Sequence, residues 1–313
     1  MATSAAGFRL SSARLRCPWD GRLIFALLGA SLIACHPAAS GSGGVAVVDD
    51  AGDTVHLSAP VARIVSLSPA TTELLFALGA GSSVVGRTRW CDYPAAALAV
   101  PSVGDGMPPN IEAVLARRPD LVLLYRSAQN SEALRQLRAA GVPVLVLAMD
   151  HLSDVSRLAR LLGPLVGRSE AGERLAAGFD SALARARARA DSIPLASRPR
   201  VLLLAWDQPP IAIGAGSFQS EILSLAGGRN LFEDLPVPSA TVSIEAIAAR
   251  NPDLILTSDS GLPAIATRPE WRVVAAVRAG RFAHLVTPAF GRPSPRAPDV
   301  AESLRVALAR VPR

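Results

Sequence analysis

Lysine is missing from the chain: all 32 basic side chains among its 313 residues are arginine. They are scattered, with no clustered stripe and no nucleic-acid-binding module around them, which argues against a nucleic-acid partner. Cysteine is scarce. Cys17 and Cys35 fall in the N-terminal region discussed next, so Cys91 stands without a partner and a disulfide framework is excluded. Charged residues make up only 19% of the chain, but half of it is hydrophobic, which excludes a disordered polymer. No phosphate-binding Gly-Lys-Ser/Thr loop, Gly-x-Ser-x-Gly elbow or His-Glu-x-x-His pair is present. The four histidines lie far apart and lack metal-ligand spacing. What remains for catalysis is Cys91 with His151 or His284 as a thiol dyad, or with Asp92 as a metal site. A lone thiol in an α/β protein is more often a small buried residue, so the chain is not expected to be an enzyme.

The N-terminus has an address written in it. Arg9, Arg14, Arg16 and Arg22 precede an apolar run, Leu23–Ile33, of signal-peptide length and too short to span a bilayer comfortably. The run closes in Leu32-Ile33-Ala34-Cys35, which resembles the lipobox of bacterial lipoproteins. There the signal is cut before the cysteine, which is then lipidated. Residues 1–34 are therefore expected to be a signal peptide and residues 35–44, rich in Gly, Ser and Ala, a flexible tether. The first 34 residues hold four of the 32 basic and one of the 26 acidic residues, so without them the formal charge falls from +6 to +3. The expected location is the periplasm or the outer face of a membrane, with the protein held by its lipid.

The body of the chain uses one stretch twice. Residues 110–124 read Asn-Ile-Glu-Ala-Val-Leu-Ala-Arg-Arg-Pro-Asp-Leu-Val-Leu-Leu, and residues 243–257 read Ser-Ile-Glu-Ala-Ile-Ala-Ala-Arg-Asn-Pro-Asp-Leu-Ile-Leu-Thr. Each copy offers an N-cap (Asn110, Ser243), an acid in the first turn (Glu112, Glu245) and about two helical turns. A proline then stops the helix, and an apolar run follows that suits a buried parallel strand. A second echo precedes the first: Thr72-Glu73-Leu74-Leu75 ending at Gly79, and Ser220-Glu221-Ile222-Leu223 ending at Gly227. Two copies of a helix–strand programme imply two similar α/β lobes with parallel sheets, each of a size to bury its own core. Between them, from Ser169 to about Ser192, proline is absent and Ala, Arg, Glu and Leu dominate, which predicts one long, rigid inter-lobe helix. The expected division is a lobe over 45–166, the helix and its flanks over 167–194, and a second lobe over 195–313. Residues 45–58 predict a leading hairpin turning at Asp50-Ala51-Gly52-Asp53. Thr71 or Thr72 is expected to cap the first helix.

The segments Arg63-Ile64-Val65-Ser66-Leu67-Ser68-Pro69-Ala70-Thr71-Thr72-Glu73-Leu74, Cys91-Asp92-Tyr93-Pro94, Val103-Gly104-Asp105 and Arg292-Pro293-Ser294-Pro295-Arg296 carry a family likeness. With the repeated Ile-Glu-Ala helix they make the chain, over about residues 45–310, resemble the substrate-binding proteins of ABC importers. The resemblance is to the helical-backbone (class III) type that serves vitamin B12, haem and ferric siderophores, and most to its vitamin B12 (cobalamin) branch. It implies a monomer with no catalytic residue and no cofactor of its own, whose transported ligand is cobalamin or a related corrinoid held between the lobes. It also implies that Trp90, Trp206, Phe290, Arg292 and Ser68 meet the ligand. Glu112 and Glu245, one on each lobe, would dock onto the permease, which carries the ATPase subunits. Glu73 and Glu221 are weaker candidates for that surface. Two tryptophans that the B12 branch leads one to expect, near Gly106 and Ser239, are absent, and Pro288 or Ala289 replaces an acid before Phe290. Haem or a ferric siderophore therefore stays open as the cargo, with Arg87, Arg89 and Arg292 able to converge on an anion and Tyr93 able to supply a phenolate to iron.

Overall fold

The computed structural model describes residues 44–257, 263–285 and 287–310. The expected signal peptide and the lipobox Cys35 lie outside the described residues. Among those described, no helix is long and apolar enough to cross a membrane.

The leading hairpin forms as expected, β1 (Gly44–Val48) pairing antiparallel with β2 (Thr54–Ser58). Asp49 Oδ1 accepts from the amides of Ala51 and Asp53 and closes the turn, while its Oδ2 accepts from Val146 N and ties the hairpin to the lobe behind it. The first lobe then runs β3 (Ile64–Ser66), α1 (Pro69–Ala77), β4 (Val84–Arg87), α2 (Ile111–Leu115), β5 (Leu121–Tyr125), α3 (Ser131–Ala139), β6 (Val144–Leu147) and α4 (Ser153–Leu165). Its sheet is parallel throughout, in the order β4-β3-β5-β6. Residues 121–124 and all of β6 are buried, which is why they read as unbroken apolar runs rather than alternating ones.

A helix of 23 residues, α5 (Ser169–Asp191), leads to the second lobe and spans about 35 Å at 1.5 Å per residue. There follow β7 (Arg200–Asp207), β8 (Pro210–Ile213), α6 (Phe218–Leu225), β9 (Arg229–Asn230), β10 (Ser239–Thr241), α7 (Ile244–Arg250), β11 (Leu254–Thr257), α8 (Ala275–Arg278), β12 (Phe282–His284) and α9 (Ala297–Ala309). The parallel part, β9-β7-β11-β12, repeats the strand order of the first lobe. What is new is an antiparallel extension: β8 folds back on the far end of β7 and β10 pairs with β8.

The duplicated stretch explains how each sheet is pinned. Asn110 and Ser243 accept from the amides of Ala113 and Ala246 and so cap α2 and α7. After both helices a residue with φ of 47°, Arg118 or Asn251, stands just before the proline, and α2 is shorter than the two turns expected. The following aspartates do equivalent work. Asp120 Oδ2 accepts from Arg63 N at 2.9 Å and Asp253 Oδ2 accepts from Arg200 N at 2.6 Å, each joining the second repeat strand to the lobe's first strand. The other echo also ends as expected, with Gly79 and Gly227 at φ of 73° and 85°. Its start differs: α1 begins at Pro69 with Ser68 as N-cap, because proline's fixed φ suits the first helical position. Thr71 and Thr72 therefore sit inside the helix, and their hydroxyls donate back to Ser68 O.

The lobes do not have fully separate cores. One face of each sheet has a private cluster, around Val122 and Leu137 in the first lobe and around Trp271 and Ile255 in the second. The other faces merge into one continuous cluster through Ala176, Phe179 and Ala186 of α5. Helix α4 of the first lobe and helices α6 and α9 of the second pack against this rod. The α4–α5 crossing is close because glycines meet there. A Cβ on Gly172 would lie 2.6 Å from the Ala159 carbonyl and 3.3 Å from Gly163 Cα. Backbone cannot yield as a flexible side chain would, so Gly172→Ala should destabilise the fold by about 1–3 kcal/mol, measured as a lower urea midpoint with an unchanged slope.

Candidate functional site

Helix α1 follows the C-terminal end of β3 and helix α6 follows β8, the strand that folds back on β7, and their first residues face one cavity of about 650 Å³ between the lobes. Ser68, Pro69 and Ala70 line it from the first lobe, and Ser217, Phe218 and Gln219 from the second. Tyr125, at the end of β5, and Met149 and Asp150, just past β6, form further wall, with Met107 from the loop before α2. Apart from Met1, the chain's methionines are thus both in this cleft. Their unbranched thioethers make an adaptable apolar surface.

Two crossings hold the lobes together beside this cavity, and both start from the second echo in the sequence. Glu73 of α1 has a side chain only 2% exposed. Its carboxylate accepts from Arg296 Nε at 2.9 Å, from Arg296 Nη2 at 2.6 Å and from Arg292 Nη1 at 3.2 Å. Arg292 also donates to Asp92 at 2.8 Å, and the Arg296 guanidinium lies 3.7 Å from the centre of the Tyr93 ring. Glu221 of α6 reaches the other way, accepting from Leu152 N at 3.1 Å and lying 2.6 Å from His151 Nδ1. Each lobe therefore sends one glutamate into its neighbour. The expectation that Glu73 and Glu221 belong to an outward docking surface is corrected: Glu73 is buried, and both carboxylates are engaged across the seam. Glu112 and Glu245, in contrast, are exposed in the first turns of equivalent helices.

Arg292 and Ser68 lie on the cleft wall. Phe290 lines an adjoining cavity of about 280 Å³ that shares Ile213, Gln219, Pro288 and Gly291 with the cleft. Trp90 and Trp206 are not among the lining residues of either cavity; they are 59% and 60% exposed. The Trp206 indole donates to Gln208 O within its own hairpin, and the Arg89 guanidinium sits 5.4 Å from the centre of the Trp90 ring. Sequence reasoning missed Tyr125, Asp150, Met149 and Phe218. The visible signal was position, since ligands of parallel sheets collect beyond the C-terminal ends of the strands.

The arginines considered for an anionic cargo are each committed within the protein. Buried Arg87 donates to the carbonyls of Thr88, Ala97 and Leu98. Arg89 is paired with Asp105, and Arg292 is held by Glu73 and Asp92. Cys91 is fully buried with its sulfur 3.1 Å from the hydroxyls of both Thr72 and Thr88, while His151 is engaged by Glu221, so the supposed thiol dyad with His151 is not assembled. Among the described residues no group of three His, Cys, Asp or Glu side chains could hold a metal. On the first-lobe wall of the cleft, the Tyr125 hydroxyl donates to Asp150 Oδ1 at 2.6 Å. Burial and this carboxylate push the phenol up to about 12.

A paired-lobe fold braced by one helix, with a cleft at the strand ends of both sheets, defines a two-lobed receptor for small ligands. The chain belongs to the periplasmic binding protein family, whose sequence profile matches residues 64–288. A vitamin B12-binding protein of Vibrio cholerae is 30% identical over 250 residues, covering 78% of this chain and 88% of that protein. The crystal structure of the periplasmic vitamin B12 binding protein of Vibrio cholerae superposes with a TM-score of 0.68, covering 80% of this chain and 97% of that one at 30% identity. A periplasmic heme-binding protein from Roseiflexus, solved in its apo form, gives 0.70 over 79% and 97% at 30% identity.

The two crossings should answer differently to perturbation. Glu73→Gln leaves two arginines facing a neutral amide and should destabilise the protein by up to about 3–5 kcal/mol, less to the extent that the arginines reach water. The Glu221 carboxylate raises the His151 pKa above its ordinary value, with partial burial opposing. A raised folded pKa means that this pair's contribution is fully present below about pH 6.5 and is lost as pH rises through the folded value. Unfolding midpoints measured from pH 5.5 to 9 should fall over that window in the parent, and the His151→Gln variant should lack that component.

Proposed function

We propose that the protein captures a corrinoid, cobalamin or a close relative, in the cleft between its lobes and delivers it to an ABC permease, with no chemistry of its own. The observation that carries this reading is the state of the arginines. A receptor for a multiply charged ferric siderophore or for the carboxylates of haem needs cations free to converge on the ligand. Here Arg87, Arg89 and Arg292 already have their partners. Beside the paired Arg292, the cavity offers thioethers, a phenol, a phenyl ring, hydroxyls and a single partly exposed carboxylate. That surface suits a large macrocycle with a rim of neutral amides, whose apolar faces are covered and whose N–H groups find acceptors. The exposed rings of Trp90 and Trp206 and the neighbouring Phe290 would lie against the macrocycle where it emerges from the cavity.

The remaining parts of the proposal rest on the family likeness and on position. Glu112 and Glu245 occupy matching, exposed places on α2 and α7, as contacts to a two-fold symmetric permease require. Cys35 is the proposed site of lipidation, with the folded protein held at an extracytoplasmic membrane face. Haem is the second reading, favoured by the likeness to the Roseiflexus protein and by the exposed phenol of Tyr93.

Calorimetric titration of the protein against cyanocobalamin, haemin and a ferric hydroxamate decides among these. Cyanocobalamin is expected to bind at least tenfold more tightly than the other two, and tighter binding of haemin would replace the corrinoid reading. For delivery, Glu112→Arg together with Glu245→Arg should abolish uptake in cells while leaving the calorimetric affinity unchanged. A loss of affinity would assign those helices to the fold instead.

A further inference from the structure

Asp150 presents the cleft with a carboxylate that the protein positions but does not use up. Its side chain is 32% exposed and lines the cavity beside Met149 and Tyr125. One oxygen, Oδ1, is fixed by the Tyr125 hydroxyl at 2.6 Å. The other, Oδ2, has only a long ion pair to Arg126 Nη2, at 3.6 Å, from a guanidinium that is itself half exposed. An ionised carboxylate can accept about four hydrogen bonds, so acceptor capacity is left over on the cavity side.

The charges around it do not cancel. Arg157 is shared between Asp50 and Asp154, and Arg126 also leans on Asp50 O. Next along the chain, His151 faces Glu221 and carries full charge only below its raised pKa. Four carboxylates thus meet two permanent cations and one titrating one at this wall. On the facing wall, Arg292 and Arg296 are matched by Glu73 and Asp92. Of the acids in excess on this wall only Asp150 lines the cavity, so the negative charge of the wall reaches the cleft through it.

We infer that Asp150 is the residue that selects the ligand by charge, accepting hydrogen bonds from amide N–H groups on the rim of the bound macrocycle and repelling rims that carry carboxylates. Tyr125 is the positioning residue, holding the carboxylate toward the cavity. This deepens the corrinoid reading and rests on it for the identity of the macrocycle, but the charge rule itself does not need the ring to be a corrin.

The test uses matched probes: dicyanocobinamide, whose rim is amidated, and dicyanocobyrinic acid, whose rim carries carboxylates on the same ring. Haemin serves as the anionic macrocycle of another class. Affinities are measured by calorimetry at fixed salt for the parent, Asp150→Asn and Tyr125→Phe. The parent should prefer the amidated corrin. Asp150→Asn should weaken that ligand by roughly tenfold and strengthen the carboxylate corrin and haemin, so that the preference shrinks by more than tenfold. Tyr125→Phe keeps the charge and loses only the tether, so it should bind less tightly yet still discriminate. Equal losses for amide and carboxylate corrins in Asp150→Asn would overturn the inference, as would loss of discrimination in Tyr125→Phe. If the parent binds neither corrin but takes haemin, the corrinoid reading fails on its own. Asp150→Asn must then still raise haemin affinity, and an unchanged value sinks the charge rule as well.

Discussion

A carboxylate cut off from water has to be neutralised where it sits, and Glu73 is neutralised by arginines that belong to the other lobe. That one arrangement fixes much of the rest. Withdrawing Arg292 and Arg296 would leave Glu73 charged among apolar neighbours, a cost that makes separation of the lobes on this side unfavourable. The charge of the same two arginines is thereby neutralised within the protein, so that Arg292 meets the cavity as a paired cation rather than a free one. The seam is closed by groups that could otherwise have bound an anion, so the interaction that joins the lobes also shapes what the cleft can accept.

The second constraint is apolar. Because α5 supplies Ala176, Phe179 and Ala186 to a core shared by both lobes, relative motion of the lobes has to bend or slide a well-packed helix. The glycine contact between α4 and α5 admits no side chain, so the rod is seated closely on the first lobe. Ion pairs at the seam and close packing along the rod act on the same degree of freedom. A cleft built this way is largely formed before a ligand arrives, and the entropy lost on closing it is correspondingly small.

Much of this architecture could be read from residues. The capped Ile-Glu-Ala helices, the buried strands behind them and the proline-free stretch from Ser169 all emerge where their patterns put them, since local capping and periodicity decide those elements. Ser68 was harder to see as the cap of α1, because Thr71 and Thr72 compete for the role on sequence alone and only the fixed φ of Pro69 breaks the tie. The site was less legible. Trp90 and Trp206 were conspicuous as rare aromatics, whereas the walls of the cavity are built from Tyr125, Met149, Asp150 and Phe218. These four come from three elements, and only the topology brings them together. Nor does a sequence reveal that Glu73 and Glu221 face inward while Glu112 and Glu245 face out. All four are acids near helix starts, and the distinction comes from how each helix packs in the folded chain, which no local pattern encodes.

The segment from Met149 to Asp154 concentrates these themes. Met149 and Asp150 face the cavity between the lobes, His151 and Leu152 receive Glu221 from the opposite lobe, and Asp154 Oδ2 accepts from the amides of Asp150 and His151 at 2.9 Å each. Cavity wall, lobe crossing and the start of α4 are therefore successive residues of one hydrogen-bonded turn. A group that draws on Asp150 pulls on the same backbone that holds the second lobe, with no loop between them to absorb the displacement. On the opposite wall Arg292 plays the matching part, since it lines the cavity and also reaches Glu73. Both crossings thus share a residue or a peptide bond with the wall of the cavity.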